Sequence, residues 1–79
     1  MRYEIIIREW DFSQGIPVLT NQDRTIFNSK DVADAYVKTM IMKYEHEGYS
    51  CRHNKIEKEH VWVCDSQTKK IIIRAKGWF

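Results

Sequence analysis

Apolar and charged residues alternate at the start of the chain. Tyr3, Ile5 and Ile7 recur at every second position, and charged residues occupy most of the positions between them. A period of two is the repeat of a β-strand, because successive side chains point to opposite faces of a sheet. We therefore predict a first strand here, with these three residues toward the core and Ile6 and Trp10 on the other face.

The next segment lacks such a pattern and contains turn-forming residues. Residues 11–23 include Gly15 and Pro17, and a proline cannot donate a backbone hydrogen bond to a neighbouring strand. We predict a loop over this segment, with at most a short edge strand at 17–20. Residues 24–27 then predict a second strand.

A helix is the clearest element that the sequence predicts. Ser29 can cap its first turn, Asp31 places negative charge near the positive end of the helix dipole, and Gly48 can adopt the left-handed conformation that ends a helix. We expect Tyr49 to contact Tyr44 across this end. Apolar residues at intervals of three and four form the stripe that faces the core: Ala33, Tyr36, Val37, Met40, Ile41 and Tyr44.

Three further segments without helical spacing follow the helix. Residues 50–56, 60–65 and 70–75 are separated by two polar turns, and three antiparallel strands are the simplest arrangement of them. The whole chain then reads ββαβββ, an α+β fold in which one helix packs on one face of an antiparallel sheet. At 79 residues, this corresponds to a single domain over residues 1–79.

The hairpin formed by residues 50–65 brings cysteine and histidine together. A turn of two or four residues at its tip places side chains of both strands on one sheet face, because the side-chain period is two. In that register the facing pairs are Cys51 with Cys64, His53 with Trp62, and Lys55 with His60.

These residues leave three interpretations of the cysteines. Cys51, His53, His60 and Cys64 include the ligand types of a zinc site, but His60 starts about 13 Å from Cys64 along its strand, too far to share one tetrahedral ion. Two free thiols that fill the space between sheet and helix are favoured, because free cysteine is often buried. A disulfide between the two cysteines is the third interpretation. We predict no metal and no cofactor.

The composition excludes several classes of protein. No apolar run is longer than three residues, whereas a membrane span needs about 20, and the charged N-terminus does not resemble a signal peptide. We therefore expect a cytosolic protein, which agrees with unpaired cysteines. The three glycines are isolated and form no phosphate-binding loop, and no catalytic base with an orienting carboxylate can be identified, so we do not expect an enzyme. The sequence indicates neither a membrane partner nor a small-molecule substrate.

The net charge of +2 is unevenly distributed along the chain. Residues 1–48 carry six basic and eight acidic residues, whereas residues 49–79 carry seven basic and three acidic residues, a net charge of +4. A nucleic-acid-binding surface is one interpretation, since cations interleaved with rings such as Tyr49, Trp62 and Trp78 can stack single-stranded nucleic acid. Its candidate residues are Arg52, Lys55, Lys69, Lys70, Arg74 and Lys76. The alternative is an ordinary solvated face.

Apolar residues outside the core support a different interpretation. One helix covers only one face of a sheet, so the apolar residues of the other face must be covered by residues 11–23, by the tail at residues 78–79, or by another chain. We expect a protein partner or self-association, because aromatic residues dominate the energetics of protein interfaces. The candidate anchors are Ile6, Trp10, Trp62, Ile72, Trp78 and Phe79. Protein binding is the leading hypothesis, and nucleic-acid binding is the alternative.

Overall fold

The computed structural model describes residues 2–77, which form one α-helix and five β-strands. The strands make a single antiparallel sheet in the order β2-β1-β5-β4-β3. This architecture confirms the predicted ββαβββ arrangement of class α+β. The elements are β1 (Tyr3–Asp11), β2 (Val18–Phe27), α1 (Lys30–His46), β3 (Ser50–Ile56), β4 (Glu59–Asp65) and β5 (Lys69–Lys76).

The connection through α1 determines which surface of the sheet is covered. β2 and β3 are the two edge strands, and α1 joins them, so the helix must cross the full width of the sheet. Four strand spacings amount to about 19 Å, and a helix of 17 residues is about 25 Å long. The helix is therefore long enough to cross one face, and it leaves the other face without a helix.

The ends of α1 form as predicted. The side chain of Ser29 accepts a hydrogen bond from the backbone N–H of Val32 at 3.4 Å, which caps the first turn. Gly48 follows the last turn with a φ of +98°, a conformation that favours glycine. The backbone N–H of Tyr49 donates to the carbonyl of Tyr44 at 3.0 Å, and the two rings lie 5.6 Å apart edge to face.

The core lies between α1 and the helix-facing side of the sheet. Ile5, Ile71 and Ile73 are almost completely buried there, against Ala33 and Val37 of the helix. Burial of one such isoleucine side chain stabilises the fold by about 1.5–3 kcal/mol. The predicted helical stripe is confirmed, since its other members are buried or packed against the same cluster: Tyr36, Met40, Ile41 and Tyr44.

The loop predicted over residues 11–23 is wrong in its second half. β2 begins at Val18 and pairs with β1 along its whole length, so the loop is restricted to residues 12–17. The pairing shifts at Thr20, an extra residue whose hydroxyl donates to the carbonyl of Glu9 at 3.2 Å. The polar composition of this strand is compatible with its position at an exposed edge, where few side chains need to be apolar.

The two cysteines form a disulfide, which corrects the expectation of free thiols. The predicted register of the β3–β4 hairpin is confirmed, and it places Cys51 directly opposite Cys64 with their Cα atoms 4.0 Å apart. Cysteines in facing positions this close bring their sulfurs within bonding range. The bond attaches the edge strand β3 to β4, next to the buried core.

We expect reduction of this disulfide to destabilise the protein. The cysteines are 13 positions apart, and closing a loop of this size contributes roughly 3 kcal/mol, mainly by restricting the unfolded chain. Cys51→Ala, or a phosphine reductant added to the wild type, should lower the free energy of unfolding in urea by about 2–4 kcal/mol. The reductant should have no effect on Cys51→Ala. Two titratable thiols in the native, unreduced protein would contradict the disulfide.

Candidate functional site

The sheet surface opposite α1 is here called the open face. Alternation places on it the residues of each strand that do not face the helix. Three predicted partner anchors lie there, namely Ile6 and Trp10 on β1 and Ile72 on β5. Ile6 is only 8% exposed although no helix covers it, because long polar side chains from the flanking strands surround it.

The predicted anchor Trp62 does not lie on the open face. Trp62 pairs with His53 and Ile73, so it belongs to the helix-facing side of the sheet and packs at the border of the core. This is a correction, because the predicted anchors cannot form one continuous surface with Trp62 among them. Trp78 and Phe79 lie outside the described residues.

A shallow apolar cleft, here called the Trp10 cleft, is present at one end of the open face. Its volume is about 300 Å³, and its lining residues are Trp10, Phe12, Pro17, Lys70 and Ile72. The loop at residues 12–17 contributes two of these side chains. The backbone N–H of Phe12 donates to the carbonyl of Thr68 at 2.7 Å, which attaches this loop to the turn between β4 and β5.

Sequence reasoning missed Phe12 and Pro17 as site residues. Both lie in the segment 11–23, which was considered only as a cover for the open face, and Phe12 directly follows the end of β1. An aromatic residue placed just after a strand that ends in Trp10 was the available signal, since exposed loop aromatics frequently line binding surfaces.

Ion pairs surround the apolar residues of the open face. The strongest is bidentate: Nε and Nη2 of Arg74 donate to the two carboxylate oxygens of Glu59 at 2.7 and 2.9 Å. These hydrogen bonds lower the pKa of Glu59 below its usual range. The remaining pairs on this face are Arg24 with Glu4, Lys76 with Glu4, Arg52 with Asp65, and Lys70 with Asp65.

Cations nevertheless outnumber carboxylates on the open face. Its carboxylates are Glu4, Glu59 and Asp65, and the face carries a net charge of +3. Sequence reasoning assigned the basic surface to the C-terminal part of the chain alone. It missed two arginines of β1 and β2 that the sheet order brings to the same face. The six cations are Arg8, Arg24, Arg52, Lys70, Arg74 and Lys76.

The predicted nucleic-acid surface is only partly assembled. Lys55 pairs with His60 on the helix-facing side, and Lys69 pairs with Asp11 on that side as well. Tyr49 packs against the core and Trp62 lies on the helix-facing side, so neither of these two rings lies among the cations of the open face. The four candidates that do share the open face are Arg52, Lys70, Arg74 and Lys76.

Two histidines and a tryptophan form a cluster of stacked rings on the helix-facing side of the sheet. Nε2 of His53 lies 2.8 Å from Nδ1 of His60, and the ring of His53 stacks on Trp62 with centroids 4.7 Å apart. One nitrogen must donate and the other accept, so at least one of these imidazoles is neutral in this arrangement. Burial lowers the pKa of His60, and the neighbouring His53 and Lys55 lower it further.

The zinc arrangement considered for this hairpin does not form. Cys51 and Cys64 are bonded to each other, which removes both thiolate ligands. Within residues 2–77, no three His, Cys, Asp or Glu side chains cluster closely enough to hold a metal ion. His53 and His60 remain as a hydrogen-bonded pair.

Comparison with protein-family models, with curated proteins and with solved structures finds no match for this chain. Among residues 2–77, no helix is both long enough and apolar enough to cross a membrane. The functional argument therefore depends on the surfaces of the molecule itself, of which the open face is the most distinctive.

We expect His60 to make the stability of the protein depend on pH. Its folded pKa lies below the ordinary 6.5, so between these two values the unfolded chain binds more protons than the folded one. The free energy of unfolding should fall as the pH is lowered through this window, and His60 should add no further loss below it. His60→Gln should weaken this dependence in urea denaturation. Equal pH dependence in wild type and His60→Gln would contradict the assignment.

Proposed function

We propose that the protein is a non-enzymatic protein-binding module, of a regulatory or accessory kind, that binds its partner through the open face. The observation that carries this proposal is the Trp10 cleft, a concave apolar site on the sheet surface that α1 does not cover. Cations and ion pairs surround it.

The composition of the open face is typical of a protein interface. Such interfaces have an apolar, often aromatic centre within a polar rim, and a few residues in the centre provide most of the binding free energy. Trp10 and Ile72 form the apolar centre here, and charged residues at neighbouring positions of the open face form the polar rim. One buried aromatic side chain contributes about 150–250 Å² of contact area, enough to anchor a partner segment.

The position of the cleft also favours binding. Trp10 and Ile72 lie on β1 and β5, which are paired strands in the interior of the sheet. The backbone of each of these strands is hydrogen-bonded on both sides, so binding costs little backbone conformational entropy. The other part of the cleft lies on the loop at residues 12–17, and a loop backbone changes conformation more readily than a strand when a partner binds.

The Trp10 cleft contains no residue of the disulfide-linked strands β3 and β4. The disulfide joins β3 to β4, whereas the cleft is built from β1, β5 and residues 12–17. Structural disulfides persist mainly in oxidising compartments, so the bond between Cys51 and Cys64 does not support the cytosolic location expected from the sequence. The binding proposal holds in either compartment.

Site-specific photocrosslinking in cells tests the proposal with two matched positions. Ile16 adjoins the cleft and is 65% exposed, and Met42 lies on α1 and is 68% exposed. A photoreactive amino acid at position 16 should form a discrete protein adduct that the same amino acid at position 42 does not form. Trp10→Ala should reduce the adduct at position 16 at least about tenfold, the loss expected for an aromatic anchor worth more than 1.4 kcal/mol. Identical adducts from both positions would contradict binding through the open face.

Nucleic-acid binding is the second candidate function. The net charge of +3 on the open face favours it, because phosphate contacts are made by clustered Lys and Arg. Against it, the stacking ring Trp62 lies on the opposite side of the sheet from these cations. Protein binding is therefore the better supported of the two.

A gel-shift experiment separates the two candidates. Because most of these cations are paired with carboxylates, we expect no retardation of single-stranded RNA or DNA even at low salt. Retardation that weakens steeply with salt, and that Arg52→Glu abolishes while Lys38→Glu on α1 does not, would support the nucleic-acid candidate instead.

A further inference from the structure

Two of the three net positive charges of the open face lie in the rows that contain the Trp10 cleft. Directly paired residues form rows that cross all five strands, and two of these rows contain or adjoin the cleft. They carry three cations and one carboxylate, whereas the other two rows carry three cations and two carboxylates. The two cleft rows are Gln22-Arg8-Ile72-Val63-Arg52 and Leu19-Trp10-Lys70-Asp65-Ser50.

Arg8 is the least neutralised of these cations. It lies directly opposite Ile72, and its Nε donates to the amide oxygen of Gln22 at 3.0 Å. Within residues 2–77, Arg8 forms no ion pair with a carboxylate. Its guanidinium therefore retains donors for an external carboxylate beside the apolar cleft.

Lys70 is only weakly paired. Its Nζ is 3.9 Å from Oδ1 of Asp65, while the other oxygen of that carboxylate accepts from Arg52 at 3.0 Å. The same ammonium lies 5.7 Å from the centre of the Phe12 ring, on the wall of the cleft. Two cations thus share one carboxylate, and an external carboxylate near Lys70 would gain attraction without displacing an existing strong pair.

A second copy of the chain does not suit this surface. A symmetric dimer would place the same patch on both subunits, so two faces of charge +3 would oppose each other. Like charges across an interface are unfavourable, whereas opposite charges guide and orient a partner. Charge complementarity therefore favours an acidic partner over self-association.

We infer that the Trp10 cleft binds an acidic peptide segment of a partner protein. An apolar side chain of the segment enters the cleft, and carboxylates within two or three residues of it meet Arg8 and Lys70. An extended chain rises about 3.3 Å per residue, which matches the spacing of positions along β1 and β5. This inference rests on the proposed function and specifies the chemistry of the partner.

Titration with designed peptides tests the inference directly. Three short blocked peptides share one central Leu-Trp-Leu core and differ only in flanking residues, which are Glu, Ser or Lys. Amide and indole resonances of the full chain, labelled with nitrogen-15, report binding at each residue. The Glu peptide should shift the Trp10 indole and the amides of Lys70 and Ile72, and should bind at least about fivefold more tightly than the Ser peptide at low salt. Added salt should reduce this preference.

A matched pair of variants tests whether Arg8 is responsible for the preference for the Glu peptide. Arg8→Gln removes the charge beside the cleft and keeps a polar side chain next to Gln22. It should reduce the preference for the Glu peptide over the Ser peptide to within about twofold, mainly by weakening binding of the Glu peptide. Lys38→Gln on α1 removes one charge from a distant exposed site and should leave the preference intact. An equal loss in both variants would overturn the role of Arg8.

The remaining outcomes distinguish this inference from the proposed function. Equal shifts of the cleft by the Glu and Ser peptides would overturn acidic recognition and leave the protein-binding proposal standing. Failure of every peptide to shift the Trp10 indole would count against both. Cleft shifts produced by a single-stranded oligonucleotide and not by the Glu peptide would replace the inference with nucleic-acid binding. Concentration-dependent dimerisation that Trp10→Ala abolishes would replace it with self-association.

Discussion

The packing of α1 against the central strands is the interaction on which the rest of the molecule depends. Ile71 and Ile73 of β5 and Ile5 of β1 are buried beneath Ala33 and Val37, so the middle of the sheet is sealed on one side only. Because α1 is the link between the two edge strands, it cannot also cover the opposite side. In the part of the chain that the structure describes, no helix covers that opposite side, and the candidate site lies there.

The open face stays compatible with water because of its side-chain chemistry. Long polar residues surround Ile6, and three carboxylates are shared among neighbouring cations. Each exposed ion pair contributes little to the free energy of unfolding, typically up to about 1 kcal/mol. The arrangement of these charges therefore affects the choice of a binding partner more than the stability of the fold. The two rows that contain the Trp10 cleft carry one of the three carboxylates, Asp65, and the loop at residues 12–17 adds apolar walls. The apolar side chains that we propose bind a partner therefore lie at one end of the open face.

Local patterns predicted the elements whose signals are contained in a few neighbouring residues. Ser29 and Gly48 mark the ends of α1, and the short turn of the β3–β4 hairpin places Cys51 opposite Cys64. The state of the cysteines was harder to predict, because bonding depends on the final separation of the two strands. β2 was predicted only in part, since an exposed edge strand tolerates a polar sequence that resembles a loop.

By itself, the sequence determined the order of the elements, the alternation of each strand and the register of the β3–β4 hairpin. Alternation divides the residues of a strand into two sets, but it does not say which set the helix covers. Only the tertiary structure decided that Trp62 lies on the covered side and that Arg8 joins Arg52 and Lys70 on the other. The physical reason is that β5, the last strand, inserts between β1 and β4. Residues that are far apart in the chain become neighbours on these strands. The distribution of surface charge is therefore determined by the order of the strands in the sheet and not by the order of the residues in the chain.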